Sequence, residues 1–90
     1  MQIELAVTLN AADDLERTYL LRTDRPYARV PSAGEIVSLD DGDGTIELPI
    51  DAVVWSNDGL VMFEFEIEEG ESPVTEAWLI AHGYELPDGG

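Results

Sequence analysis

Ile50-Asp51-Ala52-Val53-Val54-Trp55-Ser56-Asn57-Asp58-Gly59-Leu60-Val61-Met62-Phe63-Glu64-Phe65-Glu66-Ile67-Glu68 is the stretch on which the reading of this chain turns. Two extended runs, Ile50 to Trp55 and Leu60 to Ile67, flank Ser56-Asn57-Asp58-Gly59, and that turn chemistry between β-branched and aromatic residues predicts a hairpin. Within the second run Phe63, Phe65 and Ile67 alternate with Glu64, Glu66 and Glu68, the period of a strand with one face in a core. Its other face is a row of carboxylates.

Outward from this hairpin the same logic applies. Glu35 to Leu39 and Thr45 to Leu48 flank Asp40-Asp41-Gly42-Asp43-Gly44 and predict a second hairpin. Gln2 to Leu9 places Ile3, Leu5, Val7 and Leu9 on one face. Leu15 to Thr23 favours a strand with Leu15, Arg17, Tyr19 and Leu21 on one side and Thr18, Leu20 and Arg22 on the other, against a competing helix from Ala11 to Leu21 that leaves residues 11–23 open between strand and helix. Pro26 and Pro31 mark a loop or edge segment that leaves Arg25 and Arg29 exposed. Ser72 as N-cap and Pro73 at the first helical position predict a C-terminal helix bearing Val74, Ala77, Trp78 and Ala81, stopped by Gly83. Residues 83–90 then form a short acidic tail.

The expected fold is mainly β: about five antiparallel strands in a small barrel or strongly bent sheet, with one C-terminal helix. Ninety residues make a single acidic domain, 1–90. Without cysteine it has neither a disulfide framework nor a thiolate metal site, and a reducing cytoplasm suits it. Neither a signal peptide nor an apolar membrane span is read in it.

Charge is distributed unevenly. Of a formal net charge of -16, residues 31–90 hold fifteen Asp and Glu and no Lys or Arg, while Arg17, Arg22, Arg25 and Arg29 all lie in the first third. Such a chain is repelled by nucleic acid and anionic lipid. The arginines are expected to pair locally, with Asp13, Asp14, Glu16 and Asp24, because the charge of residues 1–30 is nearly balanced.

Chemical motifs are few. Asp41-Gly42-Asp43-Gly44-Thr45-Ile46 matches the middle of an EF-hand calcium loop, but that register puts Leu39 and Ile50 where the first and twelfth carboxylate ligands belong. It reads as an acidic hairpin turn, with at most weak cation association. His82 is the only histidine and stands at the helix end, where a cation is favoured by the dipole. Ser56 and Ser72 lack a nucleophile context, so no catalytic residue, metal ligand or cofactor is expected. Trp55 and Trp78 fall in the apolar phase and are expected in the core. The helix is nearly apolar all round, so Trp78 and Ile80 are candidates for a homodimer contact.

Pro31-Ser32-Ala33-Gly34-Glu35-Ile36-Val37-Ser38-Leu39, with Val53-Val54-Trp55 and Asp58-Gly59-Leu60-Val61, resembles the strand pattern of small SH3-like barrels, including the KOW-type group. That resemblance, over residues 31–67, implies a binding module for peptides or nucleic acids. The basic residues that nucleic-acid-binding members use have no counterpart in this stretch. The charge distribution is similar to that of DNA-mimic inhibitors.

The expected function is therefore a non-enzymatic acidic module that occupies the groove of a basic nucleic-acid-binding protein, as a phage or mobile-element anti-defence inhibitor does. Glu64, Glu66, Glu68, Glu69, Asp41 and Asp43 are the expected contacts. Alternatively it is a small structural or regulatory domain, dimeric through its helix, whose acidity reflects solubility or adaptation to salt. Salt separates a partner-directed surface from adaptation to brine. A partner-directed protein is expected to give a cooperative melting curve in dilute buffer, whereas unfolding below molar salt marks adaptation.

Overall fold

In the computed structural model, residues 2–10, 16–27, 29–40, 46–56, 59–68, 70 and 72–86 are described. Six strands and one helix run in the order β1 (Gln2–Asn10), β2 (Glu16–Asp24), β3 (Ile36–Ser38), β4 (Glu47–Pro49), β5 (Ala52–Trp55), β6 (Val61–Glu68) and α1 (Glu76–Ala81). Four of the strands make one sheet in the order β2-β1-β6-β5, and β3 pairs with β4 in a separate two-stranded sheet. The fold is mainly β with one short C-terminal helix, as the sequence suggests.

The sheet is open rather than closed into a barrel, and it is not wholly antiparallel. β1 pairs parallel with β6 in a register that sets Ile3, Leu5, Val7 and Leu9 beside Val61, Phe63, Phe65 and Ile67. All eight side chains are at most 5% exposed. β2 returns antiparallel along the other side of β1, with Tyr19 opposite Val7 and Leu21 opposite Leu5. The segment read ambiguously over 11–23 is thus a strand from Glu16 onward. Its β-branched and aromatic residues fit a pleated surface with Tyr19 buried.

A second layer covers this apolar face. Val37, Leu39, Ile46 and Ile50 from the β3–β4 hairpin and Val74, Leu79 and Tyr84 from the helical segment join the sheet residues in one cluster. Full burial of a large apolar side chain contributes about 1.5–3 kcal/mol, so the paired phenylalanines of β6 are major contributors to stability. The expected hairpins form: Ile36 to Ser38 pair with Pro49 to Glu47, and Ala52 to Trp55 pair with Glu64 to Val61.

Several expectations about single residues are corrected. Thr75, not Ser72, is the N-cap, its hydroxyl accepting from the Trp78 N–H at 3.1 Å, while the Ser72 hydroxyl accepts from Val74 N–H at 3.2 Å and shapes the approach. Pro73 therefore precedes the helix. Leu79 is its buried residue; Ala77 and Ala81 are exposed and Trp78 is half-buried. Trp55 is 64% exposed, because it ends an edge strand where only β6 flanks it. Arg25 is 5% exposed rather than free in solvent, donating to the Ser38 carbonyl at 2.8 Å.

The helix end shows why the tail begins later than expected. Gly83 takes φ +91°, Gly83 N–H donates to Ile80 O at 3.1 Å and Tyr84 N–H to Leu79 O at 2.9 Å, the paired bonds of a Schellman motif. That reversal turns Tyr84 into the core, where its hydroxyl donates to Leu39 O at 2.8 Å. Glu85 then exchanges two backbone bonds with Leu20, on the free edge of β2. Tyr84→Phe removes one buried hydrogen bond and is expected to lower unfolding free energy by about 1–2 kcal/mol, read from urea denaturation. An unchanged midpoint would show that the hydroxyl contributes nothing.

Candidate functional site

The sheet has a second face, opposite the core. Strand alternation and register place Glu64, Glu66 and Glu68 of β6 there, beside Ala6, Thr8 and Asn10 of β1. Across β1 the antiparallel register adds Leu20, Thr18 and Glu16 of β2 to the same rows. The burial of β6 follows this plan: its apolar residues are buried, Glu64 is half-buried, and Glu66 and Glu68 are exposed. Alternate residues of a strand stand roughly 6.7 Å apart, so the three carboxylates form an evenly spaced line.

The neighbours of that line are small or uncharged. Ala52 lies opposite Glu64 on β5, and Ala6 flanks it on β1. Thr8 and Thr18 bond to each other through their hydroxyls at 2.9 Å. Among the described residues, none of Glu64, Glu66 and Glu68 has an ion-pair partner. At the strand's end Asp51 closes the ladder: its N–H donates to Glu64 O at 2.8 Å and its carboxylate accepts from Glu66 N–H at 2.6 Å. Asp51 adds a further negative charge beside the row.

Cations are held elsewhere. Arg17 reaches Glu76 on α1, Arg22 reaches Glu4 on β1, and Arg29 forks onto Glu35, the first two at 3.0 Å. None of these three is among the local acids expected as partners. For Arg17 and Arg22 the reason is geometric: the side chains of a strand point across the sheet or toward the covering layer, so their partners come from adjacent elements, whereas Arg29 lies in the loop after β2 and meets Glu35 six residues on. Arg22 and Glu4 do share the outer face, at the end away from Glu66 and Glu68.

Beside α1 an open groove of about 480 Å³ is lined by Tyr19, Tyr84, Ile80 and Leu86 together with Arg17 and Glu76. Burial, then the hydrogen bond to Glu76, pushes the Tyr19 phenol above its ordinary value. In return the Tyr19 hydroxyl, and after it Arg17, hold the Glu76 carboxyl below the usual carboxylate range. The three groups satisfy one another and tie α1 to β2. His82 stacks on Trp78 with ring centroids 3.9 Å apart, and its Nδ1 lies 2.8 Å from Trp78 O. Of the expected dimer contacts, Ile80 is 59% exposed and Trp78 is half-buried.

Of the six expected contact residues, Glu64, Glu66 and Glu68 share the open face, and Asp41, Asp43 and Glu69 lie outside the described residues. The acidic turn that resembles a calcium loop lies outside them too. No group of three or more His, Cys, Asp or Glu is placed to hold a metal ion among the described residues. Nor, among the described residues, is any helix long and apolar enough to cross a membrane. Sequence reasoning missed Glu16 and Asp51 as members of the acidic surface, and Glu4 as the buried partner of Arg22 at its far end. The phase of Gln2 to Leu9 already sets Glu4 opposite Ile3 and Leu5, but its placement beside β6 required the pairing.

No protein-family model, curated protein or solved structure matches the chain.

Glu35 offers a direct check on the electrostatics. Its hydrogen bonds from Arg29, then from the Ser32 N–H, lower its pKa to about 2. Because the folded value is depressed, the stabilisation is present above the ordinary carboxylate pKa of roughly 4.5 and is lost as pH falls toward about 2. An NMR titration is expected to show Glu35 still ionised at pH 3, and Glu35→Gln is expected to flatten the loss of stability over that window.

Proposed function

We propose that this chain is an acidic protein-binding module whose open sheet face substitutes for a nucleic-acid backbone in the groove of a basic partner. The observation that supports it most is the uncompensated line Glu64, Glu66, Glu68 on a rigid strand whose alternate residues are core. Duplex phosphates along one strand are about 3.4 Å apart in the axial direction, so carboxylates roughly 6.7 Å apart match every second phosphate. The backbone of β6 pairs with β1 along its whole length, with β5 from Val61 to Glu64 and with the Asp51 carboxylate at Glu66 N–H, so this spacing is preorganised and little ordering entropy opposes binding.

Electrostatics favours the same class of partner. Ordinary solvated faces mix Lys with Glu, whereas this protein has no Lys, and Arg17, Arg22 and Arg29 are paired with carboxylates. A field of one sign speeds encounter with a basic protein and makes binding fall with ionic strength. Inhibition of a DNA- or RNA-binding protein follows from occupying its groove, and a defence nuclease is a target of that chemistry.

Replacing Glu64, Glu66 and Glu68 together by Gln keeps side-chain size and removes three charges. With a basic DNA-binding domain as probe, the triple variant is expected to lose at least tenfold in affinity at low salt, measured by calorimetry or biosensor, with an unchanged melting temperature. Binding as tight as that of the wild type would refute the acidic face.

A further inference from the structure

Among the described residues no strand pairs with the outer edge of β5, and its composition and surroundings specify what can pair with it. Ser56 N–H donates to Leu60 O at 2.9 Å. Ladder bonds of an antiparallel pair recur every second residue, so Val54 bonds to Met62 and Ala52 belongs to the Glu64 pair. The N–H and C=O groups of the intervening residues, Val53 and Trp55, therefore point away from β6. Among the described residues β5 pairs with no strand but β6, and no turn or loop backbone bond reaches Val53 or Trp55. The opposite edge of the sheet differs, since Glu85 bonds to Leu20 of β2.

Edge strands are usually guarded by Lys, Pro, a bulge or a covering loop. Ala52-Val53-Val54-Trp55 carries no charge and no proline, and Val54 and Trp55 are 41% and 64% exposed. The charges nearby are Asp51 and the β6 carboxylates. They repel the same edge of a second copy, which carries a formal charge of -16, and attract a cationic strand.

Side-chain geometry refines the occupant. A strand added to β5 sets alternate residues opposite Ala52 and Val54, on the acidic face, and the others opposite Val53 and Trp55, on the core side. Strands two apart are about 9.6 Å from each other, a gap that a Lys or Arg and a Glu span together when the residue between them is small. Ala52 is that small residue, and Glu64 lies behind it. On the other face Trp55 and half-buried Val53 offer apolar contact.

We propose that the β5 edge is a strand-addition site for an extended segment of the partner in which basic and apolar residues alternate, the basic ones crossing Ala52 toward Glu64 and the apolar ones packing on Val53 and Trp55. The inference rests on the reading of this chain as an acidic partner-binding module, and gives that partner a form: a free, extended, cationic segment rather than a preformed groove alone.

The probe is a blocked peptide of about eight residues alternating Arg and Val, long enough to span β5 with overhang. Binding is followed by Trp fluorescence and amide chemical shifts. In antiparallel addition, methylating the Val backbone nitrogens removes the donors that face β5 and is expected to abolish binding, whereas methylating the Arg backbone nitrogens, which face outward, is expected to leave it nearly unchanged; parallel addition reverses the two outcomes. Val53→Pro deletes an outward N–H that an edge strand does not use and is expected to weaken binding at least tenfold. Should that variant fail to fold, the two methylated peptides still decide.

Equal binding of both methylated peptides would overturn strand addition. If binding then still falls on Glu64, Glu66 and Glu68 becoming Gln, the acidic face stands without the edge; if nothing changes it, both readings fail. Concentration-dependent dimerisation of the wild type that Val53→Pro removes would overturn the basic partner in favour of a second copy.

Discussion

The parallel pairing of β1 with β6 is the constraint on which the rest of this molecule depends. It joins residues almost sixty positions apart and matches Ile3, Leu5, Val7 and Leu9 to Val61, Phe63, Phe65 and Ile67 in one unbroken register. A shift of one residue would turn Phe63 and Phe65 into solvent and bring Glu64 and Glu66 into the core, a cost of many kcal/mol in lost burial and desolvated charge. The core itself therefore holds the carboxylates on the open face. The same pairing makes β1 a central strand, so even Glu4 and Ala6 on its outward side are nearly inaccessible.

Charge is sorted by the same architecture. The arginines sit on β2 and the loop that follows it, and they are drawn to the seams of the fold: Arg17 to α1, Arg22 to β1, Arg25 to the β3 carbonyl, Arg29 to Glu35. Among the described residues the β6 row and Asp51 beside it have no ion-pair partner. A segregation that looks in the sequence like two patches of opposite sign becomes, in three dimensions, cations consumed in joining elements and anions left facing water. That asymmetry underlies both the acidic face and the choice of a cationic strand at the β5 edge.

The local features were legible because their signals are local. Period-two alternation over Val61 to Ile67, the Asp- and Gly-rich turns and the β-branched composition of Leu15 to Thr23 each report the backbone they occur in. Where the outcome depended on distant partners, sequence reading went astray. Barrel closure and purely antiparallel pairing were expected because hairpins are the local solution, and nothing in Gln2 to Leu9 announces a parallel neighbour from residue 61 onward. Trp55 is in apolar phase but ends an edge strand; Arg25 follows a strand yet is enclosed against Ser38; Tyr84 lies beyond a helix stop yet returns to the core through the Gly83 reversal.

By itself the sequence determined that the chain is mainly β, which strand is core on one side and acidic on the other, and that little positive charge opposes that face. These follow from side-chain alternation and from composition, which are properties of neighbouring residues. Only the tertiary structure decided which strands flank the acidic row, that Arg17, Arg22 and Arg29 are taken up elsewhere, and that β5 is an edge with outward backbone groups at Val53 and Trp55. Those depend on register between segments far apart in the chain, and register is set by the joint burial of two apolar faces rather than by either one alone.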